Sequence, residues 1–210
     1  MIILFYLAVT IAFIITSTAK YKIHPFLVLI FASLIMGFMG GLEPDVILKT
    51  LSEGFGNTLK SIGIIIAGGS IIGVFLERTK AAQAIAEKIV KIVGDGNSSL
   101  AMNLTGGIVS IPVFCDSGFV ILSSLNNAIN KKTKISLAIL GTSLAAGLYT
   151  THVFVPPTPG PLAAASILGA NVGLVLLYGL IIAIPVSLVG WFWSVFYCSK
   201  FSIHQENENE

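Results

Sequence analysis

Two short stretches hold most of the residues whose types and spacing suit chemistry. The first is Ser110-Ile111-Pro112-Val113-Phe114-Cys115-Asp116-Ser117-Gly118-Phe119, which sets one carboxyl between a proline and a glycine in an otherwise apolar run. Pro112 removes a helical hydrogen bond and Gly118 permits a turn, so backbone amides and carbonyls near Asp116 and Ser117 are released for a ligand or an ion. A carboxyl at membrane depth is costly unless paired or hydrated, which makes Asp116 a candidate proton carrier or ion contact. The plain alternative is a carboxylate held by a structural partner, Lys60 or a hairpin amide.

The second stretch is Thr150-Thr151-His152-Val153-Phe154-Val155-Pro156-Pro157-Thr158-Pro159-Gly160-Pro161. Prolines this dense, with a glycine among them, are incompatible with a continuous helix, while the flanks are helical by composition, so the pattern predicts a helix broken inside a membrane. A half-helix starting near Pro161 would turn its free amides and the positive end of its dipole toward an anion such as a carboxylate. Hydroxyls of Thr150, Thr151 and Thr158 suit polyol oxygens, and His152 suits an anion or a shared proton. Pro157 and Gly160 complete this candidate binding segment. The alternative is a rigid outer loop with His152 exposed. It is weaker, because Pro161 to Leu168 is too short to span and Gly169-Ala170-Asn171 turns directly into the next apolar run. No nucleophile motif or metal-ligand spacing accompanies Asp116 and His152, and Cys115 and Cys198 form no close pair. The sequence therefore implies no enzyme, no metal, no cofactor and no disulfide.

The elements that must position these stretches are membrane helices. Of 210 residues, 55% are hydrophobic and 10% charged, with mean hydropathy +0.92, too little polar surface for a water-soluble globule. A net charge of +2 gives no case for nucleic acid. Crossing about 30 Å of hydrocarbon takes roughly 20 helical residues. The runs that qualify as spans are Ile2–Ala19, Pro25–Gly41, Leu59–Glu77, Ile135 to about Ala165 with an interruption, and Val172–Tyr197. The Ile2–Thr18 run is no signal peptide, because its lysines, Lys20 and Lys22, follow it.

Charge placement then sets the topology. Lys20 and Lys22 put the first loop inside and the N-terminus outside. The acidic loop with Glu43, Asp45 and Glu53 lies outside, and Arg78, Lys80, Lys88 and Lys91 fall inside. Were Ser98–Ile129 to cross once, Lys131, Lys132 and Lys134 would be stranded outside, so that segment is expected to be a re-entrant hairpin. The C-terminus ends in the cytoplasm. Lys80–Val93 has the pattern of an amphipathic helix lying on the inner interface. Small-residue pairs, Gly37 with Gly41 and Gly69 with Gly73, suit close helix approach. Trp191, Trp193 and Tyr197 suit an interfacial anchor.

The expected fold is an all-α, polytopic membrane protein of five transmembrane helices, one of them broken, plus one re-entrant hairpin. Its parts are 1–54, two spans and an outer loop; 55–97, the third span and the amphipathic helix; 98–130, the hairpin; 131–200, the broken and last spans; and 201–210, a polar cytoplasmic tail. An odd number of crossings is what an inverted repeat requires.

In order and spacing, Phe55-Gly56-Asn57-Thr58-Leu59, Gly63-Ile64-Ile65-Ile66, Ile72-Gly73-Val74-Phe75-Leu76-Glu77, Ile111-Pro112-Val113-Phe114 with Asp116 and Gly118-Phe119, and His152 with Val155-Pro156-Pro157-Thr158-Pro159-Gly160-Pro161 resemble the gluconate permease family of the ion transporter superfamily. The resemblance covers roughly Phe55 to Pro185. It implies secondary transport of gluconate or a related sugar acid across the cytoplasmic membrane, usually with protons, and D-serine in one branch. It implies two inverted repeats, each with a hairpin and a broken helix, and often a dimer. This chain holds one such repeat, so a second repeat or a further copy is the expected protein partner, and an inactive truncation is the competing reading. A membrane-embedded enzyme or a scaffold is a more distant one. Cys115 and Ser117 stand where bulkier apolar residues are expected, Ser124 where a proline is usual and Thr158 where a histidine is frequent, so the substrate need not be gluconate itself.

In intact cells, cysteines placed by Lys20→Cys and Lys132→Cys react with a membrane-impermeant thiol reagent only after lysis, whereas Asp45→Cys reacts from outside. Labelling of Lys132→Cys in intact cells would show that Ser98–Ile129 crosses the membrane.

Overall fold

The computed structural model describes residues 2–203, apart from the side chain of Asp95. Most of the expected tail, 204–210, thus lies outside the described residues. The described chain is all-helical, and it falls into two compact units, Met1–Lys60 and Ser61–Glu210.

The first unit holds α1 (Ile2–Ala19), α2 (Pro25–Met39) and α3 (Pro44–Thr58). Helix α1 is apolar on every side and leaves Ile2, Ile3, Leu4 and Phe5 exposed, a surface suited to lipid rather than water. Helix α2 opens on Pro25, whose missing amide costs nothing in a first turn, and His24 caps it by accepting from the Phe26 amide at 3.3 Å. A Cβ on Gly37 would lie 2.8 Å from Ile47 Cγ1, so the small residue on α2 is what admits α3.

Residues 44–58, expected as part of an outer acidic loop, are helical instead. Pro44 starts α3, Lys49 and Glu53 pair at 4.0 Å one turn apart, and the helix runs through a π turn, Leu59–Gly63, into α4 (Ile64–Arg78). Its three charged residues and apolar positions share a helical period, which a hydropathy scan for spans passes over. The stretch Pro44–Arg78 thus holds 35 residues, more than the roughly 20 that a single crossing takes.

The second unit continues with α5 (Ala81–Val93), a single 3-10 turn at Asp95–Asn97, α6 (Ser98–Val109), α7 (Cys115–Thr133), α8 (Leu137–Phe154), α9 (Pro159–Ile167) and α10 (Val172–Cys198). Helix α5 is amphipathic, with Ala82 and Ala86 buried and Lys88 and Lys91 exposed. These two alanines join Met102 and Val109 of α6, Cys115, Leu122 and Ile129 of α7, and Leu140, Leu144 and Leu148 of α8 in one core. Among the described residues, four helical stretches are long and apolar enough to cross a bilayer: Ile2–Ala19, Pro44–Arg78, Leu137–Leu168 taken through its break, and Val172–Cys198. The apolar α2 is shorter, at 15 residues, and α6, at 12, reaches only about 18 Å.

Helices α6 and α8 touch backbone to backbone. A Cβ on Gly147 would run into the Asn103 carbonyl, and one on Gly106 would lie 2.8 Å from the Leu148 amide. The crossing is also bonded: the buried Asn103 amide donates to the Ser143 carbonyl at 3.0 Å, and Thr151 Oγ1 donates to the Gly107 carbonyl at 2.8 Å. Helix α10 closes the other side, with Ser187 donating to Asn103 Oδ1 at 2.7 Å, Ser143 and Ser194 hydroxyls 2.5 Å apart, and Trp191 Nε1 donating to Ser99 at 3.1 Å. In a medium that offers no solvent partners, each of these bonds satisfies a group that would otherwise be stranded.

Gly147→Ala should therefore destabilise the protein by about 1–3 kcal/mol or more, since neither backbone can yield locally. Gly68→Ala, where a Cβ meets nothing within 4 Å, should be neutral or stabilising by up to about 1 kcal/mol. Thermal unfolding in detergent measures both.

Candidate functional site

Two interruptions of helix stand beside this crossing. Residues 110–114 separate α6 from α7, and residues 155–158 separate α8 from α9, with a cis peptide bond at Pro156-Pro157. Both interruptions are shorter than the sequence suggests. Asp116, Ser117 and Gly118 belong to the first turn of α7, not to a turn before it. Gly118 serves packing: a Cβ there would lie 2.9 Å from Leu148 Cδ2. Thr150, Thr151 and His152 belong to the last turns of α8, and α9 starts at Pro159, two residues before Pro161. Prolines fit there because first-turn amides have no helical acceptor anyway.

The two interruptions come together on one face of α4. A Cβ on Gly69 would lie 2.9 Å from Pro157 Cγ, and a Cβ on Gly73 would run into the Pro112 carbonyl. The glycine pair at four-residue spacing is thus the seat for both broken segments. Between them lies a cavity of about 10 Å³, room for about one water, lined by Gly69, Ser70, Pro112, Phe114, Pro157 and Thr158 among others. Phe114 is the N-cap of α7 and Thr158 the N-cap of α9, so two helix N-termini open onto one small space.

These N-termini are unequal donors. In α7 the first-turn amides of Cys115, Asp116 and Ser117 have no intrahelical acceptor, and Phe114 provides no side-chain cap. In α9 the first three positions are Pro159, Gly160 and Pro161, so Gly160 alone carries an amide hydrogen there. The expectation of several free amides at the second break is corrected accordingly.

The expected side chains divide into two groups. Asp116 is exposed, accepting from the Tyr149 hydroxyl at 3.2 Å and from the Cys115 thiol at 3.7 Å. Its hydrogen-bond donors are therefore Tyr149 and Cys115, in place of the expected Lys60 or hairpin amide. His152 is half-buried, with its ring edge-on to Phe114 at 6.0 Å between centroids and its Nδ1 buried without a hydrogen-bond partner among the described residues. The threonine hydroxyls are already donating to backbone: Thr150 to Ala146 at 2.6 Å, Thr151 to Gly107 and Gly147, and Thr158 to Val155 at 2.8 Å. Toward a ligand they remain acceptors only. Among the described residues, no group of three His, Cys, Asp or Glu side chains is placed to hold a metal ion.

A family model for the GntP family permeases matches residues 2–210. The chain belongs to the GntP permease family. Among relatives, it is 43% identical over 168 residues to an uncharacterised permease of Haemophilus influenzae, covering 80% of this chain and 34% of that protein. It is 35% identical over 181 residues to a gluconate permease of Pseudomonas aeruginosa, covering 86% and 40%. It is 35% identical over 184 residues to a D-serine transporter of Escherichia coli, covering 88% and 41%. The chain thus spans less than half the length of these curated relatives. No solved structure matches it. Membership of the GntP permease family, together with the long apolar helices, makes the chain a membrane protein.

Two substitutions separate ligand contacts from structural ones. Thr151→Val removes the bond from α8 to Gly107 and should cost about 1 kcal/mol of stability. His152→Phe removes a ring whose buried Nδ1 bonds nothing described, so the melting temperature should stay within about 2 °C, while any contribution of the imidazole to ligand binding is lost. Thermal melts with and without gluconate measure both effects.

Proposed function

We propose that this chain is one repeat of a proton-coupled secondary transporter for gluconate or a related small hydroxy acid, completed by a second repeat or a further copy of itself. In this reading it lies in the cytoplasmic membrane as five spans and a re-entrant hairpin, 98–130, with its N-terminus outside and its C-terminus inside. The supporting observation is the meeting of two interrupted helices, with their N-termini, on the Gly69–Gly73 face of α4. Backbone of this kind is tolerated at membrane depth only where protein buries it or a cavity needs it.

The chemistry follows from the donors. The amides of Cys115, Asp116 and Ser117, with that of Gly160, supply a positive field and hydrogen bonds to a carboxylate. Asp116 stands in the same first turn and competes for that field while ionised. A proton on Asp116 removes the competition, so proton and acid bind together and leave together, which is the thermodynamic content of symport. His152 offers its unpartnered Nδ1 to the acid or to the proton. Thr150 and Thr151 line a separate cavity between α6, α8 and α10, whereas Thr158, which lines the small cavity between the interruptions, offers an acceptor to the hydroxyl groups that gluconate and D-serine share. The cavity of about 10 Å³ is too small for either, so the structure corresponds to a closed state in this reading, and α4 must part from the two interruptions to admit substrate.

The test is uptake of labelled gluconate by proteoliposomes holding the chain, alone and with a second repeat co-reconstituted. Uptake should be accelerated by an inward proton gradient, and unlabelled gluconate should compete while neutral glucose does not. Asp116→Asn should abolish the acceleration by the gradient. Equal competition by glucose, gradient-driven uptake by Asp116→Asn, or no uptake with either preparation would contradict the proposal. A parallel assay with labelled D-serine decides between the two hydroxy acids.

A further inference from the structure

Away from the interrupted helices, the last turns of α5 and α7 face each other across a groove of about 340 Å³. Its floor is apolar, with Val90, Leu125 and Ile129 continuous with the core. Its rim carries Lys91 and Lys132 against the single carboxylate of Glu87, which is already accepting from Gln83 at 3.0 Å. Lys88, Lys131 and Lys134 are exposed nearby in sequence and add to the positive field. The outward face of α5 has the same mixed character. Ile85 and Ile92, two turns apart on one face, are 37% and 75% exposed with Lys88 between them. Isoleucines interleaved with lysines on an exposed helix face match neither water nor hydrocarbon, but they match the headgroup boundary of a bilayer.

We propose that this groove seats an anionic phospholipid of the surrounding bilayer, its phosphate taken by Lys91 and Lys132 and an acyl chain laid along Val90, Leu125 and Ile129. The occupant is fixed by charge complementarity at the rim together with an apolar floor, a combination that a free phosphate or a neutral lipid would satisfy only in part. The site depends on α5 and α7 and not on the transport reading of the interrupted helices.

The test is native mass spectrometry of the purified chain in detergent, titrated with phosphatidylglycerol, phosphatidylcholine or inorganic phosphate. The chain should retain phosphatidylglycerol in preference to phosphatidylcholine. The pair Lys91→Gln and Lys132→Gln should cut that preference by about fivefold for each lysine. The pair Lys91→Arg and Lys132→Arg should keep it, as should Lys20→Gln with Lys22→Gln, and circular dichroism should show unchanged helix throughout. Equal retention of the two lipids, binding of inorganic phosphate at the same strength, or an undiminished preference in the glutamine pair would overturn the proposal. So would a photoreactive label at Val90→Cys that captures a second protein copy in place of lipid.

Discussion

The backbone-to-backbone crossing of α6 and α8 at Gly106 and Gly147 is the constraint on which the second unit depends. Helices normally pack about 8–10 Å apart, held off by their side chains. Here the Asn103 and Leu144 carbonyls occupy the places where side chains would stand. That proximity lets Asn103 reach Ser143 and Thr151 reach Gly107, so the polar groups of two helices are satisfied without water. It also brings the ends of the two helices side by side. The interruption after α6 and the interruption after α8 are neighbours because the helices leading into them are clamped one to two turns earlier.

The same close approach recurs where α4 and α10 meet the segments at the ends of this pair. Gly69 and Gly73 admit Pro157 and the Pro112 carbonyl to α4, and Gly179 of α10 admits the Phe154 carbonyl at the end of α8. Gly73 and Gly179 stand opposite backbone carbonyls, and Gly69 stands opposite the Pro157 ring. Irregular backbone carries carbonyls and amides that a bilayer cannot solvate, and close cover by a neighbouring helix is the alternative to water. A permease needs such backbone to meet a polar solute, and it needs a cover that can be withdrawn.

Composition and periodicity made much of this legible. The apolar runs located the membrane helices, and Lys80–Val93 showed its amphipathic face. The proline run at 156–161 marked an interrupted helix because no continuous helix tolerates it. The errors share one cause. Prolines and glycines announce that a helix stops nearby, but not on which side of them the next one begins. Pro159 and Pro161 fit a first turn, and Gly118 serves packing instead of turning, so both interruptions were drawn too long. Residues 44–58 read as a loop in the sequence because their charges mask a helical period. The partners of Asp116 were illegible, since Tyr149 lies 33 positions away and only the tertiary fold brings it near. The role of Gly69 and Gly73 was half legible: their spacing signalled close approach, but the sequence did not say that the approaching groups were the two interruptions themselves.

The central claim is that the two interruptions and the glycine face of α4 enclose one ligand site. Its most direct test is the rate of cross-linking between cysteines placed by Ser70→Cys on α4 and Thr158→Cys at the start of α9, with Cys115 and Cys198 replaced by serine. Both positions line the same water-sized cavity. The account predicts rapid cross-linking by a short thiol reagent, slowed by gluconate and unaffected by glucose. Failure to cross-link, or a rate indifferent to gluconate, would contradict it.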